Sequence, residues 1–159
     1  MMIDLERCTR CNDCVQACSD THQNNPRFVR DGKQYGKFLV AHSCMHCSDP
    51  FCMDSCPTGA IYREESTGET VINEVSCIGC SNCEESCIYD NIKMVQIKDS
   101  DKSFYIDSTT GKPMIKATKC DLCIESKTGP ACEKSCPTEA LKRVDLSDFK
   151  SFVKWAEES

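Results

Sequence analysis

Sixteen cysteines in four blocks of four constrain this 159-residue chain more than any other feature. Every block ends with two cysteines that are separated by three residues. The blocks are Cys8-Cys11-Cys14-Cys18, Cys44-Cys47-Cys52-Cys56, Cys77-Cys80-Cys83-Cys87 and Cys120-Cys123-Cys132-Cys136. A [4Fe–4S] cubane takes four cysteine thiolates, so the protein is predicted to bind four such clusters with no cysteine left over.

The spacing inside the blocks predicts which cysteines share a cluster. In two-cluster ferredoxins a C-x2-C-x2-C loop gives three ligands, and the fourth cysteine of the run binds the other cluster. Blocks one and three have this spacing, whereas blocks two and four stretch it to C-x2-C-x4-C and C-x2-C-x8-C. The predicted ligand sets are Cys8, Cys11, Cys14 and Cys136 for cluster 1; Cys18, Cys120, Cys123 and Cys132 for cluster 2; Cys44, Cys47, Cys52 and Cys87 for cluster 3; and Cys56, Cys77, Cys80 and Cys83 for cluster 4.

The shortest gap between blocks, 57–76, predicts how the blocks are paired. It contains a first segment at 57–62, a polar turn through 64–69 and a second segment at 70–72, a pattern of strand, turn and strand. Blocks two and three are therefore expected to form one ferredoxin-like sub-module, 40–98. Blocks one and four are then expected to pair as a second sub-module, 1–39 plus 99–145, into which the first is inserted. The predicted fold is α+β: two nested bacterial dicluster ferredoxin-like modules, with short strands, hairpins and short helices around four clusters, in one domain 1–159.

Further elements are predicted outside the blocks. Residues 27–30 and 37–40 are strand-like with a turn at Asp31-Gly32, 92–97 alternates as a strand does, and 104–113 is typical of a hairpin. Residues 147–159 are expected to form a helix that Ser147 or Asp148 caps. Its apolar face would contain Phe149, Phe152, Val153 and Ala156, with Trp155 off that face and without an assigned role.

Composition predicts a protein that depends on its clusters. Leu, Ile, Val and Phe make up only 29 of 159 residues, a thin apolar core for a chain of this length. We therefore expect the chain without iron to be largely unfolded, because metal binding would supply folding free energy. The formal charge is −6, and cluster-bound thiolates would make the protein more anionic still. An acidic surface argues against nucleic-acid binding.

Localisation is predicted from two absences. The sequence has no stretch of about 20 apolar residues that could span a membrane. Residues 1–7 contain neither an apolar signal core nor a twin arginine. Together with so many closely spaced cysteines, this favours the reducing cytoplasm. Export while bound to a partner that carries a signal is the alternative.

Zinc is the main alternative to iron–sulfur clusters. Zinc sites usually combine two C-x2-C pairs separated by a dozen or more residues, whereas blocks one and three each place three cysteines within seven residues. The three histidines are not needed as ligands. His46 and His42 are expected to pack or to form hydrogen bonds near a cluster, and His22 is expected to be exposed. The basic residues near the blocks are expected to be solvated: Arg7, Arg10, Lys119, Lys127, Lys142 and Arg143.

One string resembles a known family. It reads Cys44-Met45-His46-Cys47-Ser48-Asp49-Pro50-Phe51-Cys52 and continues with Cys56-Pro57-Thr58-Gly59-Ala60. It resembles the four-cluster, polyferredoxin-like electron-transfer subunits of the dimethyl-sulfoxide-reductase family, and the similarity covers Cys8 to about Val144. The resemblance implies two fused ferredoxin folds with crossed ligation. The sequence departs from the pattern where Ser19 and Ile88 replace the proline after the last cysteine of blocks one and three.

Three functions are compatible with the sequence, and none assigns a catalytic residue. The favoured hypothesis is an electron-transfer subunit in anaerobic metabolism, which relays electrons between a catalytic oxidoreductase subunit and an acceptor or donor. The resemblance implies that this partner carries molybdopterin, tungstopterin or flavin, and a further redox subunit is a second expected partner. A freely diffusing polyferredoxin is the alternative. A redox sensor is disfavoured because no output domain is recognisable.

Overall fold

The computed structural model describes residues 1–126, 128–144 and 149–158. Within these ranges the helices are α1 (Asp13–Thr21), α2 (Phe51–Asp54), α3 (Asn82–Glu85), α4 (Ala131–Lys134) and α5 (Phe149–Glu157). The strands are β1 (Met2–Asp4), β2 (Val29–Tyr35), β3 (Phe38–His42), β4 (Ile61–Arg63), β5 (Thr70–Ile72), β6 (Lys93–Gln96), β7 (Ile115–Thr118) and β8 (Leu141–Lys142). Short helices and small sheets confirm the predicted α+β class.

A four-stranded antiparallel sheet joins the two ends of the described sequence. Its order is β2-β3-β1-β8, and Met2 of β1 lies opposite Val40 on one side and Lys142 on the other. Ile3 and Leu141 from adjacent strands are both buried, and they pack in one core with Phe28 and with cysteines of blocks one and four. This sheet therefore holds the first and fourth blocks together.

A second core contains blocks two and three. The predicted strand-turn-strand between them is confirmed as the antiparallel hairpin β4–β5, in which Ile61 lies opposite Ile72. Ile61 packs with Ala60, Ile92 and cysteines of both blocks. The hairpin β6–β7 adds Ala117 to the same core, so it pairs a strand from 40–98 with a strand from 99–145. The division into two sub-modules stays a prediction.

The expected turn at Asp31-Gly32 is wrong. Strand β2 runs through these residues, and the turn to β3 lies at Gly36-Lys37. Gly32 instead follows a bulge in the pairing, where a β-carbon would lie 1.9 Å from the Val40 carbonyl oxygen. The glycine is present because the two strands approach closely at the bulge, a local feature that an Asp-Gly pair in sequence does not distinguish from a turn.

The predicted hairpin at 104–113 is confirmed as a small pairing at the tip of β6–β7. Ile106 bridges to Pro113, and the backbone N–H of Asp107 donates to the Lys112 carbonyl at 2.9 Å. Phe104 bridges in turn to Lys98, so this excursion continues the β6–β7 hairpin.

The short helices form two similar pairs, α1 with α4 and α2 with α3. In each pair the serine before the last cysteine of a block donates to the first residue of the partner helix. Ser135 Oγ lies 3.3 Å from the Asp13 carbonyl oxygen, and Ser55 Oγ lies 3.5 Å from that of Asn82. The same contact occurs in both helix pairs. Blocks one and four therefore have the same local structure as blocks three and two.

Helix α5 is held by the residue to which the sequence assigned no role. Trp155 is buried, its ring centroid lies 5.8 Å from those of Phe38 and Phe152, and its Nε1 donates to the Glu139 carbonyl at 2.9 Å. The predicted capping residues Ser147 and Asp148 lie outside the described residues. Among the helices of the described ranges, none is both long enough and apolar enough to cross a membrane.

Candidate iron–sulfur cluster sites

The sixteen cysteines, all of which the structure describes, gather into four groups, and none of them forms a disulfide. Each group combines three cysteines of one block with the last cysteine of another block. Group 1 is Cys8, Cys11, Cys14 and Cys136; group 2 is Cys18, Cys120, Cys123 and Cys132; group 3 is Cys44, Cys47, Cys52 and Cys87; group 4 is Cys56, Cys77, Cys80 and Cys83. The groups have the membership of the predicted ligand sets, and ligation itself stays a prediction.

Two of the groups line cavities. The cysteines of group 4 surround a cavity together with Ala60, Ile61 and Ala117. Those of group 1 surround another together with Ile3 and Leu141. Each cavity is therefore lined by both thiols and core side chains. This is a suitable enclosure for a cluster that must be shielded from water.

The backbone of the cysteine loops is shaped to bind an anion. In every block the residue before the second cysteine has a left-handed conformation; these residues are Arg10, His46, Gly79 and Leu122, with φ between 47° and 71°. In blocks one and three the residue after the second cysteine is also left-handed; these are Asn12 and Ser81. Such alternation arranges successive N–H groups into a concavity that binds anionic groups.

In every group at least one cysteine sulfur accepts a hydrogen bond from an N–H donor. Three of them are backbone donors: Arg27 N lies 3.2 Å from Cys18 Sγ, His46 N lies 3.4 Å from Cys44 Sγ and Asn91 N lies 3.4 Å from Cys87 Sγ. Ala117 N lies 3.5 Å from Cys77 Sγ in group 4, and the Arg30 guanidinium lies 3.8 Å from Cys8 Sγ in group 1. Hydrogen bonds of this kind stabilise thiolate ligands and tune the potential of a bound cluster.

Burial keeps several of these thiols protonated when no metal is bound. It raises the pKa of Cys83 and of Cys120 to about 11. It is also the main cause of the raised pKa of Cys132, which the nearby Cys120, Cys18 and Cys123 raise further. Burial likewise raises the pKa of Cys52, with Lys119 opposing it. A coordinated metal deprotonates such a thiol, so iron binding and thiolate formation are coupled here.

The groups differ in how closely they approach the surface. Cys11 of group 1 and Cys80 of group 4 are exposed, whereas every cysteine of groups 2 and 3 is buried or half-buried. An exposed ligand shortens the path between a bound cluster and a docked redox partner.

His46 is half-buried beside group 3, and its two ring nitrogens are shielded from solvent. Burial lowers its pKa to about 4, with the charge of Lys119 acting in the same direction. Neither ring nitrogen has a hydrogen-bond partner among the described residues. With four thiols already present in group 3, the imidazole is not required as a ligand. His42 is exposed.

The expectation that His22 is exposed is wrong. Its side chain is only 9% accessible, and its Nε2 lies 3.7 Å from Cys123 Sγ and 3.6 Å from an oxygen of Asp121. Arg27 contacts the same carboxylate, since its guanidinium pairs with Asp121 at 2.7 Å and also with Glu74. The sequence offered no signal for this contact, because His22 lies 101 residues from Cys123.

Sequence reasoning also missed Lys119, which was expected to be a solvated charge. It is 3% exposed, and its ammonium contacts Cys44 of group 3. Its position directly before Cys120 was visible in the sequence. The side chain's path to another block was not.

These observations fit [4Fe–4S] clusters as bound groups. Each group offers an all-thiol donor set, an N–H donor and a partly or wholly enclosed position, and soft thiolates are the ligands that iron–sulfur clusters take. Groups of this kind on a ferredoxin-like α+β scaffold define an electron-transfer iron–sulfur protein.

Comparison with known sequences assigns the family. Residues 35–146 match the profile of the 4Fe-4S dicluster domain, and the protein belongs to that family. It is 32% identical to the electron transport protein HydN of Escherichia coli K12, over 94% of this sequence and 90% of HydN.

Two similar relatives are named as parts of reductases. The protein is 31% identical to the B subunit of the anaerobic dimethyl sulfoxide reductase of Haemophilus influenzae, over 93% of this sequence and 74% of that subunit. It is 32% identical to the thiosulfate reductase electron transfer subunit PhsB of Salmonella typhi, over 96% of this sequence and 80% of PhsB. These relatives confirm the resemblance to iron–sulfur subunits of the dimethyl-sulfoxide-reductase type.

Proposed function

We propose that the protein is an electron-transfer subunit that relays electrons through four [4Fe–4S] clusters. The relay would run between a larger catalytic oxidoreductase subunit and an electron acceptor or donor. The observation that carries this proposal is the gathering of all sixteen cysteines into four groups of four. When bound, each cluster accepts and releases an electron.

The four groups are proposed to be the four ligand sets. Each of the helices α1 to α4 contains or adjoins two cysteines, one from each of two groups. Helix α2, for example, contains Cys52 of group 3 and is followed by Cys56 of group 4. Four residues of helix rise only about 6 Å, so a shared helix holds two clusters close together. Neighbouring clusters within each pair would then exchange electrons rapidly.

The residues around the groups would hold the clusters and exclude water. Backbone N–H donors stabilise the thiolates, while the buried side chains of the two cores close the sites from the inside. Cys11 and Cys80 give groups 1 and 4 the closest approach to solvent, where a redox partner would dock. The sixteen unpaired thiols also suit a reducing compartment, which favours the cytoplasm.

The catalytic partner is proposed to carry molybdopterin, tungstopterin or flavin. The proposal is supported by two relatives that are named as parts of a reductase. A freely diffusing polyferredoxin is the second candidate, supported by the name of HydN, an electron transport protein that this sequence covers over 90% of its length.

Anaerobic purification of a tagged protein from its own organism at low salt would separate the two candidates. We expect a stoichiometric pterin or flavin enzyme, identified by mass spectrometry, to accompany a protein that contains about 16 iron atoms. A lone protein with full iron and sulfide would refute the subunit proposal and support the diffusing carrier.

Serine variants test the ligand sets. Crossed ligation predicts that Cys52→Ser and Cys87→Ser alter the same cluster signal in electron paramagnetic resonance (EPR) spectra, whereas Cys56→Ser alters the signal that Cys83→Ser alters. Ligation within blocks would instead make Cys52→Ser and Cys56→Ser alter one signal. That result would overturn the assignment.

A further inference from the structure

A buried lysine connects two of the cysteine groups. Lys119 follows strand β7 and directly precedes Cys120 of group 2, and it is 3% exposed. Its Nζ lies 3.3 Å from Cys44 Sγ of group 3 and 3.5 Å from the Cys120 carbonyl oxygen, and it also donates to the Thr70 carbonyl. An ammonium has three N–H donors, and these three acceptors match that number.

The ammonium of Lys119 is buried, so a nearby anion is needed to stabilise its charge. A buried charge is costly unless an opposite charge lies close to it. In the part of the sequence that the structure describes, no carboxylate forms an ion pair with Lys119, and two of its three acceptors are neutral carbonyls. The remaining acceptor is the sulfur of Cys44.

Three other cations near the groups have carboxylate partners and more contact with solvent. Arg143 pairs with Glu69 at 2.8 Å, and Lys142 pairs with Glu133 at 2.9 Å. Lys93, near Cys87 of group 3, pairs with Asp90, and its side chain is 52% accessible. Lys119 therefore differs from them in both burial and partner.

We propose that Lys119 is the fixed countercation of cluster 3 and raises its reduction potential. Reduction adds one negative charge to a cluster, and a buried cation stabilises the reduced state more than the oxidised state. Little solvent lies around the ammonium to screen this effect. The inference rests on the proposed function, since it takes group 3 to bind a [4Fe–4S] cluster.

The influence of Lys119 extends across group 3. Burial is the main cause of the raised pKa of Cys52, and the charge of Lys119 is the first factor that opposes it. Its backbone adjoins group 2, whereas its charge lies against group 3. The side chain would thus bias an electron shared between the two sub-modules towards cluster 3.

The test is an anaerobic redox titration of the isolated holoprotein, followed by EPR. Lys119→Met removes the charge and keeps most of the side-chain volume. We expect one of the four reduction steps to lose at least tenfold in its equilibrium constant, a shift of about 59 mV to lower potential for a one-electron couple. The shifted step should be the one that Cys87→Ser alters, while the other three stay in place.

Lys93→Met is the matched control, because it removes an exposed cation near the same group. We expect its four potentials to equal those of the wild type. Lys119→Arg keeps the charge and should retain a potential closer to the wild type than Lys119→Met does. These two comparisons separate an effect of buried charge from a general change in packing.

Lys119→Gln provides a second neutral variant if Lys119→Met does not assemble its clusters, because an amide can still donate to the two carbonyls. A fully loaded neutral variant with wild-type potentials would overturn the inference. Loss of clusters in both neutral variants would also overturn it, since that would assign Lys119 a structural role. A wild-type titration without four clusters would refute the proposed function instead, and a holoprotein without a partner subunit would leave this inference intact.

Discussion

Replacing Gly79 with alanine tests how closely strand β7 packs against the cysteine loop of group 4. Gly79 lies between Cys77 and Cys80 with φ +71°, and a β-carbon there would lie 2.5 Å from the Ile115 carbonyl oxygen. At the equivalent position in blocks one and four, Arg10 and Leu122 adopt the same conformation with full side chains. The glycine is therefore required by the approach of Ile115 rather than by φ alone.

The expected cost has two parts. A left-handed conformation costs a residue with a β-carbon about 1–2 kcal/mol. Relieving the contact with the Ile115 carbonyl requires a backbone shift, which costs about 1–3 kcal/mol as overpacking does. Gly59→Ala, in the same group's Cys56 loop, is the matched control: its φ is +63° and its β-carbon would meet nothing within 4 Å. Only the first cost should apply there.

The assay is the rate at which cluster absorbance is lost in guanidinium under anaerobic conditions, because unfolding with cluster loss is irreversible. The extra 1–3 kcal/mol predicts that Gly79→Ala loses absorbance roughly 5- to 160-fold faster than Gly59→Ala. The fastest phase should come from one cluster. Equal rates for the two variants would refute the reasoning, since the contact with Ile115 is the difference between them.

The packing of α5, the half-buried His46 and the thin apolar core can each be tested. Trp155→Ala should cost about 3 kcal/mol of local packing and speed limited proteolysis within 149–158 while iron content stays full. His46 has its pKa held near 4 by burial, so the unfolded protein binds more protons between that value and about 6.5. Stability should therefore fall as pH decreases through this range, and His46→Gln should reduce that dependence in anaerobic cluster-loss assays. Complete removal of iron should abolish the native near-ultraviolet circular dichroism, because the clusters supply much of the folding free energy.

The cysteine pattern predicted more of the structure than the apolar pattern did. Ligand geometry restricts cysteine spacing strongly, and the hairpin β4–β5 followed from the short gap between two blocks. The turn assigned to Asp31-Gly32 was wrong because the same dipeptide suits both a turn and a close approach at a bulge.

The residues that sequence reasoning missed act through distant contacts. Trp155 packs on Phe38, and Lys119 reaches Cys44 across 75 residues of sequence. Helical periodicity placed Trp155 off the apolar face, and neighbouring residues gave no indication that the lysine is buried. Such pairings depend on the tertiary arrangement of the two cores, which local patterns do not encode.

The central position of β1 has a consequence for biosynthesis. This strand pairs with β8, which is translated about 140 residues later. At about 5–20 residues per second, this delay is of the order of 10 s. The buried residues of the core around blocks two and three extend only to Ala117 of β7, so iron delivery would begin in the middle of the nascent polypeptide. The thiols of block one would have no complete ligand set until Cys136 is translated. During that interval they would be exposed to any oxidant present.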